Sequence, residues 1–566
     1  MGTFCFFARE ERANPDRREA KKQNASILLA RRKSGIILLA AILFLWNLWA
    51  TDPWAPDEPY FAEGAREMVA DGQWAVPHVN GVVTTDKPPL FFWLIALFSL
   101  PFGGVSSLTA RLPSALAALG TVALTMRLGR RLAGEDTGVL AGALLTTTYL
   151  VWDKARSAQI DSLLCLLILV ALSAFEAYRA GDADGRRAGF LFWLAAALAV
   201  LAKGPVGFLL PLGTALVTLA WDGNLRAWRR FAPLSGPLLF AAILAGWMAL
   251  ATLGGHGEYS VWGALKEHAL NRALHGLHHR QPPWYYLQVL PVQLLPWSGL
   301  VAAALVLAFR RGGPSERLLL AWALFVVGFF SFSTEKRDLY VLPAYPAFLI
   351  LAAMLARSFL DEPPPLARAW LKVPHALVGI SLILAGTGAA VLGRRLEAPP
   401  PWTVGALGLV LVATGVASLQ AILRGRVASS LKATALGTIA AYLLVASIIL
   451  PALDPTKSAR RFSEIVQTRT AASRQAGHPV LAFGLGNQPE AFAFFTNGVY
   501  LRETSDPAVL GAHLDQPSRV YAVVDRAQID LLPAETRARV VVLASESLSR
   551  QEVALIANGP PDTPAQ

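Results

Sequence analysis

The chain has 566 residues, 54% of them hydrophobic and only 16% charged, with a mean hydropathy of +0.44 and a net charge of +12. Soluble domains carry roughly 25% charged residues, so this composition excludes a soluble enzyme. The surplus cations sit in short loops between apolar runs, which is the pattern that orients a membrane protein and sets nucleic acid aside as a partner.

Residues 1–34 carry Arg17, Arg18, Lys21, Lys22, Arg31, Arg32 and Lys33 ahead of the first apolar stretch. That n-region is long for a cleaved signal, so a disordered basic cytoplasmic tail and a retained signal-anchor are expected. The first span, 35–51, then leads outward by the positive-inside rule. It opens into an external loop, 52–107, which begins with acids, aromatics and an arginine from Trp54 to Met68. Pro56 suits the position just ahead of a helix, and Asp57 and Glu58 suit its positive N-terminal end. At helical spacing Asp57, Phe61 and Gly64 share one stripe, and Glu63, Arg66 and Glu67 mark another.

The segment 90–102 is apolar but short for a span and is bounded by Pro88, Pro89 and Pro101. If it crossed, the arginines at 127, 130 and 131 and every later basic loop would invert. It is therefore expected to lie in the interface. Spans are expected at 108–127, 137–152, 162–178, 189–202, 205–221, 234–253, 285–309, 318–333, 339–357, 375–393, 402–423 and 433–451. With the first they make about thirteen and place the C-terminus outside. The membrane domain is expected to cover 35–453. Beyond it, residues 454–566 are ordinarily polar, with β-like runs at Val480–Gly484, Val520–Val524 and Val540–Ala544, and read as a small external α/β domain. Cys5 lies in the tail and Cys165 in an apolar run, so no disulfide is expected.

This topology gathers acids and bases from distant loops on one face, while the spans hold almost no ionisable group at mid-depth. A proton-coupled carrier needs such groups inside the membrane, whereas an enzyme working on a lipid head group needs them at the interface. Asp57 and Glu58 are candidate general bases, and Asp161 supplies a second carboxylate at the mouth of another span. Asp57 also fits a plain helix cap. Lys87, Arg156, Lys203, Lys336 and Arg337 are outward cations suited to a lipid phosphate, or to snorkelling at helix ends. The histidine-rich stretch 266–280 reads either as a polar loop or as a metal site formed with Asp86 or Glu267.

A series of motifs spread over about residues 50–350 carries a resemblance. They are Asp57-Glu58-Pro59-Tyr60-Phe61-Ala62-Glu63, Asp86-Lys87-Pro88-Pro89-Leu90, Ala155-Arg156-Ser157-Ala158-Gln159-Ile160-Asp161, Ala202-Lys203-Gly204-Pro205, Glu267-His268 and Lys336-Arg337-Asp338-Leu339-Tyr340. In order and spacing they resemble the GT-C superfamily of membrane glycosyltransferases, in the branch of the lipid A aminoarabinose transferases and protein O-mannosyltransferases. The resemblance implies an α-helical polytopic fold and inverting transfer of a sugar from a polyprenyl-phosphate donor to a lipid, glycan or protein acceptor, on the periplasmic face of a bacterial inner membrane. It implies Asp57 as lead catalytic carboxylate with Asp161 as its partner, and Lys87, Lys336 and Tyr340 on the donor phosphate. It also implies a divalent metal (Zn, Mg or Mn) on Asp86 and His268. Here the acid before the loop lysine is Asp where the aminoarabinose transferases have Glu, and Asn-Arg follows where Arg-Phe is more usual. A lipid-linked sugar flippase is the other class to weigh; it predicts mid-membrane charges, broken helices and repeated halves.

Overall fold

The computed structural model describes residues 15–231, 234–254, 280–361, 365–393, 398–486, 489–548 and 551–559. Helix α1 (Pro15–Leu45) leads into the first loop, which holds α2 (Asp57–Asp71), the hairpin β1 (His78–Val79) and β2 (Val82–Val83), and α3 (Leu90–Ser99). There follow α4 (Ser107–Ala133), α5 (Glu135–Thr146), α6 (Tyr149–Ala155), α7 (Asp161–Arg179), α8 (Gly185–Lys203), α9 (Val206–Trp221) and α10 (Ser235–Gly254). The second half brings α11 (Tyr285–Gln293), α12 (Ser298–Arg311), α13 (Pro314–Phe332), a 3-10 segment at Asp338–Ala344, α14 (Tyr345–Asp361), α15 (Pro365–Leu392), α16 (Pro401–Leu423) and α17 (Val427–Leu444). A polytopic helical fold is thus established. Among the described residues nine helices are long and apolar enough to cross a membrane, or ten if α11 and α12, bent by 120°, form one span.

The expected count of about thirteen is not reproduced, for local reasons. The 137–152 segment is divided between α5 and α6 at Thr147 and Thr148, whose hydroxyls bond back to carbonyls of the preceding turn. Helix α9 has only 16 residues. In α1 the cations Arg31, Arg32 and Lys33 interrupt the apolar run. Residues 15–34, expected to be disordered, are helical in continuity with that run. Helix α3, at 10 residues, is too short to span, as the 90–102 segment was expected to be.

At the C-terminal end, α18 (Leu450–Lys457) and α19 (Arg460–Gln475) lead into β3 (Val480–Phe483), α20 (Pro489–Phe495), β4 (Leu501–Thr504), α21 (Pro507–Leu514), β5 (Tyr521–Asp525), α22 (Ala534–Arg539), β6 (Val540–Leu548) and β7 (Gln551–Asn558). The strands form one sheet in the order β4-β3-β5-β7-β6, parallel among the first three and antiparallel across β5-β7-β6. The three expected strands are present; β4 and β7 were not expected.

This domain grips the first loop at two places. Asp454 accepts from the Trp54 indole (2.7 Å) and the Asp52 amide (2.9 Å), while Asp52 accepts from Ser458 and Arg460. Further along, Asn80 at the hairpin tip exchanges two hydrogen bonds with the Leu501 backbone (2.7 and 2.9 Å). Gly81 follows at φ +74°, and a Cβ there would stand 2.9 Å from the Tyr500 ring. Gly81→Ala therefore meets both backbone strain and a clash, and is expected to lower stability by about 1–3 kcal/mol, read as an earlier thermal unfolding midpoint in detergent.

Candidate active site

The site is built on α2. Its aromatic face, Tyr60 and Phe61, packs against Phe91 and Phe92 of α3 with ring centroids 5.0–5.8 Å apart. Gly64 makes that approach feasible, since a Cβ there would lie 2.5 Å from the Phe92 ring. With α2 pinned on α3, its first residue, Asp57, is presented at the loop face.

A buried ion pair fixes where that residue stands. Arg111, one turn into α4, donates to both oxygens of Glu58 at 2.7 Å and to the carbonyls of Leu48 (2.7 Å), Thr51 (2.9 Å) and Asp52 (2.7 Å). Glu58 also accepts the amides of Ala158 (2.8 Å) and Trp54 (3.1 Å). Burial works against the Glu58 charge, but Arg111 and the two amides outweigh it and hold the carboxyl below the ordinary glutamate range. Glu58, expected as a candidate base, is corrected by this geometry: both of its oxygens are taken up in stapling the first loop to the 156–160 loop.

That staple brings the two lead acids under one set of cations. Asp57 is held in bidentate fashion by Arg337, with Nη1 to Oδ1 at 3.0 Å and Nη2 on Oδ2, and receives the Gln159 side-chain amide on Oδ2. Asp161 pairs with Lys203, whose ammonium lies 4.5 Å from the centroid of the Tyr340 ring. Arg337 feels the charge of both acids, and its guanidinium is driven further toward the charged form by Asp57 despite its burial. Burial pushes Asp57 up, but Arg337 overrides it, with Lys154 and Lys87 adding to the pull, and the carboxyl stays below its usual range. Lys87 itself pairs with Asp86. Asp57, Asp161, Lys87, Lys203, Arg337 and Tyr340 thus belong to one electrostatic cluster.

Two expected phosphate ligands lie elsewhere in their contacts. Arg156 is buried over the Trp152 ring (5.4 Å) and donates to the carbonyls of Leu43 (3.2 Å) and Trp46 (2.6 Å), tying the end of α1 to the second loop. Lys336 donates to the carbonyls of Gln281 (2.9 Å) and Ser333, so its ammonium closes a turn. His268 and Glu267 lie outside the described residues. Among the described residues no group of three or more His, Cys, Asp or Glu side chains is placed to hold a metal ion, and Asp86 is paired with Lys87.

Sequence reasoning missed Arg111 and gave Gln159 no role. Arg111 had a signal: an arginine inside an apolar span needs a partner. Gln159 had none, because its place depends on Ser114 of α4, whose hydroxyl donates to the Gln159 carbonyl (2.8 Å) and accepts its amide (3.2 Å). The role of Arg337 is open to a direct check. Arg337→Gln removes the cation that outweighs burial at Asp57, so the acid limb of the pH–activity profile is expected to move to higher pH.

Residues 86–249 match the family model described as dolichyl-phosphate-mannose-protein mannosyltransferase. An undecaprenyl phosphate-alpha-4-amino-4-deoxy-L-arabinose arabinosyl transferase of Pseudomonas paraeruginosa is 30% identical over 452 residues, 78% of each chain. The corresponding protein of Pseudomonas aeruginosa (strain LESB58) is 32% identical over 65% of each chain, and a protein of Aquifex aeolicus is 31% identical over 57% of this chain and 63% of its own. The match thus spans a little under two thirds of the length of those last two relatives. Among solved structures, ArnT from Cupriavidus metallidurans bound to undecaprenyl phosphate superposes with a TM-score of 0.73 at 20% identity, covering 93% of this chain and 98% of that one. The archaeal oligosaccharyltransferase AglB from Archaeoglobus fulgidus reaches 0.53 at 12% identity over 89% and 70%.

Proposed function

We propose that this chain, which belongs to the GT-C superfamily of membrane glycosyltransferases, transfers a sugar from a polyprenyl-phosphate donor to an envelope acceptor on the periplasmic side of a bacterial inner membrane. The observation that carries the reading is the convergence of Asp57 and Asp161 with Lys87, Lys203 and Arg337 at the mouths of the spans. Relatives named for undecaprenyl phosphate-linked aminoarabinose support the donor class.

In this reading the acceptor oxygen attacks the anomeric carbon as the bond to the donor phosphate breaks. The configuration inverts, and the bond electrons leave on the polyprenyl phosphate. A proton released by an acceptor hydroxyl passes to Asp57. The phosphate is already a competent leaving group, so cations take most of the electrostatic load. Arg337 links the two tasks. A donor phosphate competes with Asp57 for its guanidinium, and as Arg337 turns to the phosphate the Asp57 carboxylate regains basicity where the acceptor is to be activated. Asp161 holds Lys203 against the Tyr340 ring at the other wall.

The test is reconstitution of the full chain in proteoliposomes with a polyprenyl-phosphate sugar and an envelope lipid extract. Release of polyprenyl phosphate together with an added sugar mass on one acceptor is expected, with none from a nucleotide sugar. Movement of intact donor across the bilayer without cleavage would overturn the reading in favour of a flippase.

A further inference from the structure

Helix α2 presents Asp57 at its first residue and, two turns later, faces the C-terminal domain with a different set of groups. Glu63 and Glu67 are 0% and 1% exposed, and their carboxyls share a hydrogen bond. Arg66 donates to both Glu63 oxygens at 2.7 Å and reaches the Tyr500 hydroxyl at 3.4 Å. The Gly81 amide donates to the Glu67 oxygens at 3.1 and 3.3 Å. From the other side α20 packs on α2 and brings Glu490, whose Oε2 is buried with no hydrogen-bond partner. Glu503 on β4 adds its charge to that felt by Glu490, and Asp71 adds its own near Tyr500. Among the described residues Arg66 is the one cation hydrogen-bonded to this group.

Glu63 takes up the Arg66 guanidinium with both oxygens, which leaves Glu67 one backbone amide and the buried Oε2 of Glu490 no hydrogen-bond partner, so ionising Glu67 or Glu490 adds a charge next to Glu63 where water is excluded. Glu67 and Glu490 therefore keep protons above the ordinary carboxylate range. Burial first, and then the neighbouring Glu63, push Glu67 up to about 8. Burial again, with the charges of Glu503 and Glu63, pushes Glu490 up to about 7.

We propose that Glu63, Arg66, Glu67 and Glu490 form a proton-retaining joint through which the C-terminal domain holds the helix that presents Asp57, so that Glu67 and Glu490 act as positioning residues for transfer. The effect on transfer rests on the reading of Asp57 given above; the joint itself does not. The sign follows from proton binding. A closed joint holds protons that an opened, hydrated one releases once the pH exceeds about 4.5, the ordinary glutamate range. Closure is therefore strongest in acid, weakens as pH climbs toward about 8, and changes little beyond. In that window each carboxyl alters the closing equilibrium by up to about tenfold per pH unit.

The experiment is hydrogen exchange on the full-length protein in lipid nanodiscs between about pH 5 and 9, with protection factors corrected for intrinsic exchange. Protection of α2 and the β1-β2 hairpin is expected to fall with pH until about 8 and then level off. In the Glu67→Gln/Glu490→Gln double variant, whose amides imitate the protonated carboxyls, the same amides should show a flat profile. Wild-type transfer should lose kcat on the alkaline side with the donor KM unchanged, and the double variant should not. A flat wild-type protection profile overturns the proposal without recourse to any variant, as does a double variant that keeps the wild-type slope. If Asp57→Asn proves fully active while the protection profile behaves as stated, the catalytic reading fails and the joint stands.

Discussion

Arg111→Met is expected to cost about 3–5 kcal/mol of stability, the range for removing one partner of a buried pair. The reason is geometric. Arg111 is 4% exposed and closes five hydrogen bonds at 3.0 Å or less onto Leu48, Thr51, Asp52 and Glu58, besides one to the Thr51 hydroxyl. Its loss leaves a buried carboxylate facing three unpaired carbonyls. Glu58 alone still has the amides of Ala158 and Trp54, so Glu58→Gln, which keeps a hydrogen-bonding side chain of the same shape, should cost less than Arg111→Met. The Glu58→Gln/Arg111→Met double variant removes both charges, and its loss should fall short of the sum of the singles by about 1–3 kcal/mol. Chemical or thermal unfolding in detergent reads all three. Additive losses would show that the pair is not coupled and that the loop is held by other contacts. Transfer should fall in each variant along with the placing of Asp57, although neither Glu58 nor Arg111 faces the reacting atoms.

How much of this was legible beforehand follows from the range of each signal. Helices and their order were readable because runs of apolar residues declare themselves locally, and α4, α7, α8 and α10 fall where hydropathy puts them. The breaks were less readable. Thr147 and Thr148 interrupt a span through hydroxyl bonds that single residues do not advertise, and α12 turns 120° from α11 at Pro296. Strand β4 was missed because Leu501-Arg502-Glu503-Thr504 has no apolar alternation; it is a strand because it pairs with β3 and because Asn80 grips Leu501. At the site, residue types were readable but partnerships were not. Asp57 and Glu58 both read as candidate bases, with Asp57 in the lead, and the structure separates them. One residue faces Arg337, 280 positions away; its neighbour, one helical step round, turns inward to Arg111. Sequence spacing along a helix says that adjacent residues point apart, but not which of the two meets a cation buried in another span.

That separation defines the largest expected effect on activity. Asp57→Asn should lower kcat by about 10²–10⁴, the usual contribution of a positioned general base, while the fold persists. The side-chain amide retains an oxygen for Arg337 and the shape that packs under Gln159, so stability should change by only about 1 kcal/mol. The donor KM should not rise. It is expected to fall, because Arg337 no longer has a carboxylate to hold it back from the donor phosphate. This split distinguishes Asp57 from its neighbours: Glu58→Gln loses activity through the fold, and Arg337→Gln loses donor affinity. Protonation offers the same discrimination without mutation. A carboxyl held below its ordinary range stays charged above the usual aspartate pKa of about 4 and contributes its ion pair there, losing it only as pH falls through the depressed value. The acid limb of kcat/KM, which reports the free enzyme, should accordingly lie below about pH 4, while that of kcat should lie higher, because Arg337 has by then turned to the donor phosphate. Steady-state kinetics on nanodisc-embedded protein, with donor varied at several pH values, reads kcat and KM separately. An Asp57→Asn enzyme that keeps its kcat and only raises KM would assign the carboxylate to binding and return the search for the base to Asp161.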